Sequence, residues 1–406
     1  MNRISEVKLG KAPKQEALVE STLDSLRRLY NQALEDRKTS WEKEHKGLTL
    51  YDQQKAFTKV RKLDPIIWAL NVVMVRATVF RRLDLAFKSF FRRVQAGETP
   101  GYPRFKGKDR FRTIVFGDQG WKLNDKKLTL TGIPGNPTFR LKGKIHRKGF
   151  IKGLRIVRKA DRYFAQFIVD CGEAPDLVPS KNIVGIDIGL KSFATLSTGE
   201  VIDNPRFLKK SFGQLKKAQR RLSSKQKGSN RRAKAKKELA RLHTKVANRR
   251  TDFVRQTVAS LVKHYEAFAI EDLDIQGMLE KDPKDDPKKR GLHRGIMDAA
   301  WGQFGFHLAC KAEEAGKLVI RVNPKGTTQR CSQCGTVVRK DLSVRTHDCP
   351  ACGLIIDRDL NASLNIEKLG LSQTTSDQGW QGSIGSSAES FRKLGVQKPL
   401  NPLGTF

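Results

Sequence analysis

Four of the six cysteines fall in two pairs, Cys331-Ser332-Gln333-Cys334 and Cys349-Pro350-Ala351-Cys352, each followed by a glycine and separated from each other by 14 residues. Four thiolates in this arrangement can close a tetrahedral shell around one Zn²⁺, and Gly335 and Gly353 permit the tight turn that aims backbone amides at sulfur. A closed shell leaves no open coordination position, so such a zinc would be structural. Paired spacing of this kind belongs to a reducing compartment rather than a disulfide framework. Cys171 and Cys310, isolated among apolar neighbours, read as small buried hydrophobes. Three carboxylates form a second set. Asp187 lies inside Ile183-Val184-Gly185-Ile186-Asp187-Ile188-Gly189, Glu271 closes Phe268-Ala269-Ile270-Glu271, and Asp359 lies in Asp357-Arg358-Asp359-Leu360-Asn361-Ala362. An acid within an apolar strand is costly unless a cation or hydrogen bonds compensate it. A salt bridge to one of the many basic residues would satisfy any one of them. Three acids on separate strands of one α/β unit fit better as a cage for two Mg²⁺ or Mn²⁺ ions, which can activate water and stabilise the departing oxygen of a phosphodiester. Asp357 competes with Asp359 for the third place, and the residues alone leave that choice open.

The elements that must position these groups follow from hydrophobic periodicity. The run from Ile183 reads as a strand buried on both faces. Phe193–Ser197 forms a second strand that turns at Thr198-Gly199-Glu200 into Val201-Ile202. Phe268–Leu273 and Leu318–Val322 are two more, with a helix through Trp301, Phe304, Leu308 and Ala312 before the last. A short helix, Leu364–Leu369, follows Asp359. Upstream, Ala17 to Arg93 is helical, with Leu23, Leu26, Tyr30 and Leu34 at spacings of three and four, and again Val79, Leu83, Phe87 and Phe90. Ile66 to Val75 reads as one soluble helix with Asp64 as N-cap and Pro65 at its first position. It is also the most apolar stretch in the chain, and it is too short to span a membrane. After Gly97-Glu98-Thr99-Pro100-Gly101 come short Gly- and Pro-punctuated strands, including a hairpin of Arg155–Arg158 with Tyr163–Val169. Lys281 to Lys289 reads as an exposed loop, and the Gly-, Ser- and Gln-rich stretch beyond Gly370 as a disordered tail.

Charge points to the partner. The 406 residues carry 79 Lys+Arg against 42 Asp+Glu, a formal net charge of +37, with 38% hydrophobic residues available for cores. A charge that large is self-repulsive in a compact protein unless a polyanion neutralises it. It concentrates between Lys209 and Arg250, where 17 cations face the single acid Glu238. A break at Lys227-Gly228-Ser229-Asn230 divides this stretch into two antiparallel helices, greasy on one side and cationic on the other. Unbalanced charge of this density marks a nucleic-acid surface rather than a coiled coil, whose helices normally mix signs. The candidate contacts are Lys216, Lys217, Arg220, Arg221, Lys225, Lys227, Arg231, Arg232, Lys234, Lys236 and Lys237, with Arg27, Arg28, Arg81 and Arg82 on the upstream helices. Phe105, Phe111, Phe116 and Trp121 interleave with basic residues and are either base-stacking platforms or core. The N-terminus lacks the apolar segment of a secretory signal, so the cytoplasm, in association with the nucleoid, is the expected address.

Taken together, Gly185–Gly189, the Glu271 strand, Thr327–Gly335 and Asp357–Ile366 resemble the RuvC-type nuclease of TnpB proteins, the insertion-sequence-encoded relatives of type V CRISPR effectors. The likeness is strongest from Asn182 to Leu369 and extends more weakly to Leu29-Tyr30-Asn31, Phe87–Phe91 and Gly101–Phe105. It departs at the N-terminus, where an opening strand before Val7-Lys8-Leu9-Gly10 is barely visible. The resemblance implies a multidomain α+β protein. Residues 1–16 and 97–178 would form a β-barrel wedge domain and 17–96 a helical recognition lobe. Residues 179–370 would form an RNase H-like (RuvC) α/β nuclease domain with a basic helical hairpin at 209–265 and an inserted zinc module at 326–356, and 371–406 a disordered tail. It further implies a catalytic, Mg²⁺-binding triad of Asp187, Glu271 and Asp359, a guide RNA derived from the transposon end, and double-stranded DNA cut beside a short motif. One protein per guide RNA is expected. A nuclease-inactive RNA-guided repressor and a miniature CRISPR effector are the alternatives within this frame.

Overall fold

The computed structural model describes residues 1–177, 182–280, 286–341 and 343–375. The chain divides into two units, Met1–Glu173 and a second beginning at Ala174. No described helix is long and apolar enough to cross a membrane.

In the first unit, β1 (Asn2–Lys8) is followed by α1 (Pro13–Glu44), α2 (Leu50–Val60), α3 (Pro65–Trp68), α4 (Val72–Val75) and α5 (Arg81–Gln95). The strands β2 (Thr113–Phe116), β3 (Lys122–Asn124), β4 (Lys127–Thr129), β5 (Thr138–Arg140), β6 (Phe150–Lys159) and β7 (Arg162–Asp170) come after them. They make two antiparallel sheets, β1-β7-β6-β2 and β3-β4-β5, linked by a single bridge between Leu9 and Leu141. The opening strand is therefore present, paired along its length with β7 from Asn2↔Asp170 to Lys8↔Phe164. Its buried face is Arg3, Ser5 and Val7, while Ile4 points outward. That inverted polarity hides it from a hydrophobicity reading. The helix expected over Ile66–Val75 is two. Asp64 caps α3 as expected, accepting from Ile66 and Ile67, but Asn71 starts a second helix by accepting from the Met74 amide at 3.0 Å. A side chain that satisfies an orphan N-terminal amide restarts the ladder. Phe111 and Phe116 are core, Trp121 is half-buried, and Phe105 is half exposed.

The second unit is built on a five-stranded sheet, β8 (Ile183–Ile188), β9 (Ser192–Leu196), β10 (Val201–Asp203), β11 (Ala267–Glu271) and β12 (Leu318–Val322), in the order β10-β9-β8-β11-β12. β9 pairs antiparallel with both β10 and β8, while β8, β11 and β12 run parallel. One face carries Val184, Ile186, Phe268 and Ile270 against α7 (Asn230–His264) and, after the short α8 (Ile275–Met278), against α9 (Pro287–Ala299) and α10 (Trp301–Glu314). The opposite face carries Ile183, Ala267 and Ala269 against Ile366 of α11 (Arg358–Thr375). The expected loop over 281–289 is corrected at its end: Pro287 opens α9, with Asp286 capping by accepting from the Lys288 amide. Residues 281–285 lie outside the described residues, as does the tail beyond Thr375. The helix expected at Leu364–Leu369 instead begins at Arg358 and runs to Thr375.

Contact between α11 and β8 is unusually close. A Cβ at Gly185 would stand 2.0 Å from the Ser363 carbonyl oxygen and 2.6 Å from the Glu367 amide nitrogen, both backbone. Neither can move without displacing the helix. Gly185→Ala is expected to cost about 3 kcal/mol or more by overpacking, which urea denaturation checks; a midpoint equal to wild type would contradict this packing.

His307 on α10 supplies a pH dependence. Burial, with Arg255 and Lys311 nearby, pushes its imidazole down to about 4. Between pH ~6.5 and ~4 the unfolded chain binds a proton here that the fold refuses, so stability falls as pH drops through this window. After discounting for partial exposure the loss is about 1 kcal/mol. Thermal melts at pH 7 and 5 should show His307→Gln flattening the drop.

Candidate metal centres

Strand parity brings the carboxylates to one face. Ile183, Gly185 and Asp187 alternate toward α11, and so do Ala267, Ala269 and Glu271, because successive side chains point to opposite faces. The parallel register Ile183↔Ala267, Ala269↔Gly185, carried one step further, sets Glu271 beside Asp187. On α11, positions 359, 363, 366 and 370 recur at helical spacing. Ser363, Ile366 and Gly370 all face this sheet, so Asp359 does too, one turn closer to the strand ends. Asp187 is 9% exposed. Burial, reinforced by the charges of Glu271 and Asp359, pushes its carboxyl up to about 8. Burial also raises Glu271, opposed by the Thr327 hydroxyl, which donates to Glu271 Oε1 at 2.6 Å.

The geometry separates the two acids at the start of α11. Asp357 Oδ1 accepts from the amides of Asp359 (2.8 Å) and Leu360 (3.2 Å), so it caps the helix. Asp359 stands in the first helical turn, not on a strand as the sequence reading had it. Arg358 donates to its Oδ1 at 3.1 and 3.2 Å, and Arg345 approaches Oδ2 at 3.7 Å. Among the described residues no cation pairs with Asp187 in this way. Asp187 feels the charges of both Glu271 and Asp359, although among the described residues the three carboxylates are not gathered as tightly as the four thiols. Hard carboxylate oxygens of this kind suit Mg²⁺ or Mn²⁺ rather than a thiophilic metal.

The thiolates form the second centre. Their sulfur atoms all lie within 4.8 Å of one another, and among the described residues this is the one group of metal-ligating side chains so tightly gathered. Cys331 and Cys352 Sγ are 3.6 Å apart, as are Cys334 and Cys349, and all four are free thiols. A tetrahedron of ~2.3 Å Zn–S bonds has edges of about 3.8 Å, so the site fits zinc. The two knuckles are built alike. Gly335 (φ 79°) and Gly353 (φ 71°) donate to the Cys331 and Cys349 carbonyls at 3.0 and 2.9 Å. The Thr336 hydroxyl, 3.3 Å from Cys334 Sγ, and the Thr336 backbone hold that thiol down at about 6. Flanking the second knuckle, β13 (Thr346–Asp348) pairs with β14 (Ile355–Asp357), which leads directly into α11.

Side-chain amides tie this module to the acid-bearing helix, a link the sequence reading missed. Asn361 accepts from the Ser332 amide and donates to the Arg330 carbonyl, both at 2.8 Å. Asn365 donates to the carbonyls of Thr327 (2.8 Å) and Arg330 (2.6 Å). Both are buried. Two asparagines four apart on a helix that also turns Ile366 inward were the available signal.

Comparison with known proteins bears on the whole chain. The OrfB_IS605 family model, described as "Probable transposase", matches residues 166–282, and the Cas12f1-like TNB domain matches 301–366. A provisionally named RNA-guided DNA endonuclease of Streptomyces pristinaespiralis is 31% identical over 337 residues, 82% of this chain and 80% of that one. Another, from Escherichia coli (strain K12), is 30% identical over 266 residues, 64% of each chain. A TnpB-like protein of Acanthamoeba polyphaga mimivirus is 29% identical over 202 residues, 47% of this chain and 38% of that one. The chain belongs to the TnpB family. Among solved structures, the mini-RNA-guided endonuclease CRISPR-Cas_phi3 is 11% identical at a TM-score of 0.47, covering 91% of this chain and 92% of that chain. A likeness so loose carries no detail across.

In this TnpB-family chain the basic residues divide. The hairpin is α6 (Phe207–Ser223) with α7, joined through a greasy seam of Leu215, Leu222, Leu239 and Val246. Lys216, Lys217, Arg220, Lys227, Arg231, Lys234, Lys236 and Lys237 are exposed on its outside, and Lys225 is half-buried. Arg221 is exposed but paired with Glu238 at 3.0 Å. Arg232 is structural, donating to the Leu222 and Lys225 carbonyls at the end of α6. Upstream, Arg27 and Arg28 both pair with Asp24 at 2.9 Å, and Arg82 lies over the Phe111 ring. Arg81 is exposed.

Proposed function

We propose that the chain is an RNA-guided DNA endonuclease in which Asp187, Glu271 and Asp359 hold two Mg²⁺ or Mn²⁺ ions. What supports this reading is that Asp187 and Glu271 fall on the α11 face at the ends of β8 and β11, with Asp359 near enough for its charge to raise Asp187. The strand order, three antiparallel then two parallel, agrees with an RNase H-like domain, and the names of the relatives agree with the activity. Bound metal would supply an activated water and charge for the departing oxygen of a phosphodiester. The proton that burial favours on Asp187 would be displaced by a bound ion, and the protein's own part is to orient its acids. Thr327 serves Glu271 in this way. Arg358 and Arg345 keep the charge of Asp359 compensated until ions arrive, and Asp357 fixes the start of α11. The four cysteines would hold one structural Zn²⁺. The exposed cations of α6 and α7 suit an RNA scaffold or heteroduplex, recognised through phosphate and shape. Residues 1–16 and 97–178 would then act as the wedge and 17–96 as the recognition lobe.

The test is to purify the protein with its RNA, sequence that RNA, and supply plasmid DNA carrying the matching target. One discrete RNA whose guide portion directs a Mg²⁺-dependent double-strand break supports the proposal. Binding without any nick in Mg²⁺ or Mn²⁺ would replace it with a repressor. Within this reading Thr327→Val should slow cutting by about 10- to 100-fold, and more steeply at low Mg²⁺, while Thr327→Ser restores it. Rates measured across a Mg²⁺ series check this.

A further inference from the structure

We infer that the first unit carries a pocket for one unpaired nucleotide, walled by Tyr102, Phe105, Lys38 and Arg104. The pocket is a cleft of about 350 Å³ lined by these four residues with Leu34 and Pro103. That volume is at the small end of ligand sites, roughly 300–1,000 Å³, and matches a single nucleotide.

Its construction is the argument. The segment Tyr102–Lys106 has no regular secondary structure, yet it is fixed. Asn31 on α1 grips it in both directions, donating to the Lys106 carbonyl at 3.1 Å and accepting from the Lys106 amide at 2.8 Å. The Tyr102 ring is held edge-on by Phe87 and Phe90, each with its centroid 5.6 Å away. Tyr102 remains 45% exposed and Phe105 50% exposed. A chain that buries Phe111, Phe116 and Phe139 almost completely thus presents two rings on a rigid irregular segment. Beside them stand Lys38, loosely paired with Glu42 at 3.8 Å, and the exposed Arg104. Stacking faces next to cations are what an unpaired base and its phosphate require, and stacking tolerates any base. Two motifs that the nuclease chemistry does not use, Leu29-Tyr30-Asn31 and Gly101–Phe105, become the clamp and the wall of one site. The inference goes beyond cleavage: it needs a strand to bind and no bond to break.

The test uses the full chain, in EDTA, with two photoreactive probes: an RNA 12-mer containing 4-thiouridine and a DNA 12-mer containing 4-thiothymidine. After irradiation the crosslinked residues are located by mass spectrometry. Crosslinks at Tyr102 or Phe105 are expected, and the probe that gives them identifies the source strand. Phe105→Leu, at an exposed ring, should lower that crosslink at least tenfold with the melting temperature unchanged, and Tyr102→Leu should lower it as much. Arg104→Ala should reduce the slope of log affinity against log salt by about one. Crosslinks confined to α6 and α7, or a yield within twofold of wild type in Phe105→Leu, would overturn the inference. Loss of cleavage in the nuclease assay bears on neither outcome, because no metal is present.

Discussion

Replacing Asp187 by asparagine is expected to abolish DNA cutting, by about 10³-fold or more, while leaving the RNA-bound complex intact. On the proposed mechanism several kcal/mol of transition-state stabilisation would rest on metal charge at this site, and each ~1.4 kcal/mol is tenfold in rate. Asn keeps the shape of the side chain and removes the charge that would draw an ion. The same change should leave the protein in EDTA at least as stable as wild type, because Asp187 is a buried acid beside Glu271 and Asp359. That pairing of outcomes is diagnostic. An acid kept for structural reasons would lose stability on substitution, whereas one kept for its ions loses only activity. Cleavage rates of the purified complex and melting curves in EDTA check the two halves. Undiminished cutting by Asp187→Asn in Mg²⁺ would remove the carboxylates from the mechanism.

Removing the zinc proposed at the four cysteines should have the larger structural effect. Metal binding to four thiolates in a small module is itself folding free energy, on the order of 10–16 kcal/mol at neutral pH. Cys331→Ala, or a strong chelator, should release one zinc per chain and expose amides across 326–356 to hydrogen exchange. It should also lower cleavage, although no cysteine meets the DNA. The reason is Asn361 and Asn365, which bind the first knuckle to α11, the helix that begins with Asp359. Loss of the knuckle frees that helical turn and leaves two buried amides unsatisfied, at roughly 1–3 kcal/mol each. Zinc analysis with exchange mass spectrometry checks this, and a zinc-free protein with native exchange and full activity would contradict it. Cys171→Ser, in contrast, should change neither.

The contrast between what the sequence displays and what it conceals is physical. Ile183–Ile188 and Ala267–Glu271 are legible because a strand buried on both faces must be almost wholly apolar, so an acid within it stands out. The cysteine pairs are legible because ligand spacing is local. The β1 strand is hidden, since it turns Arg3 and Ser5 inward and Ile4 outward. The break at Asn71 is hidden because a single capping side chain overrides a continuous apolar run. Asp357 and Asp359 could not be told apart until the helix phase was known. One faces back to cap amides and the other shares a stripe with Ser363 and Ile366. The basic candidates fared unevenly for a similar reason: charge density marks the hairpin as a surface, but pairing with Asp24 or Glu238, or burial against Phe111, withdraws individual arginines from it.

The most direct measurement is anomalous diffraction from crystals of the RNA-bound protein soaked in Mn²⁺. The account predicts manganese peaks about 2.2 Å from carboxylate oxygens of Asp187, Glu271 and Asp359, absent in crystals of Asp187→Asn. Manganese bound elsewhere, with these three acids bare at saturating concentration, would contradict it.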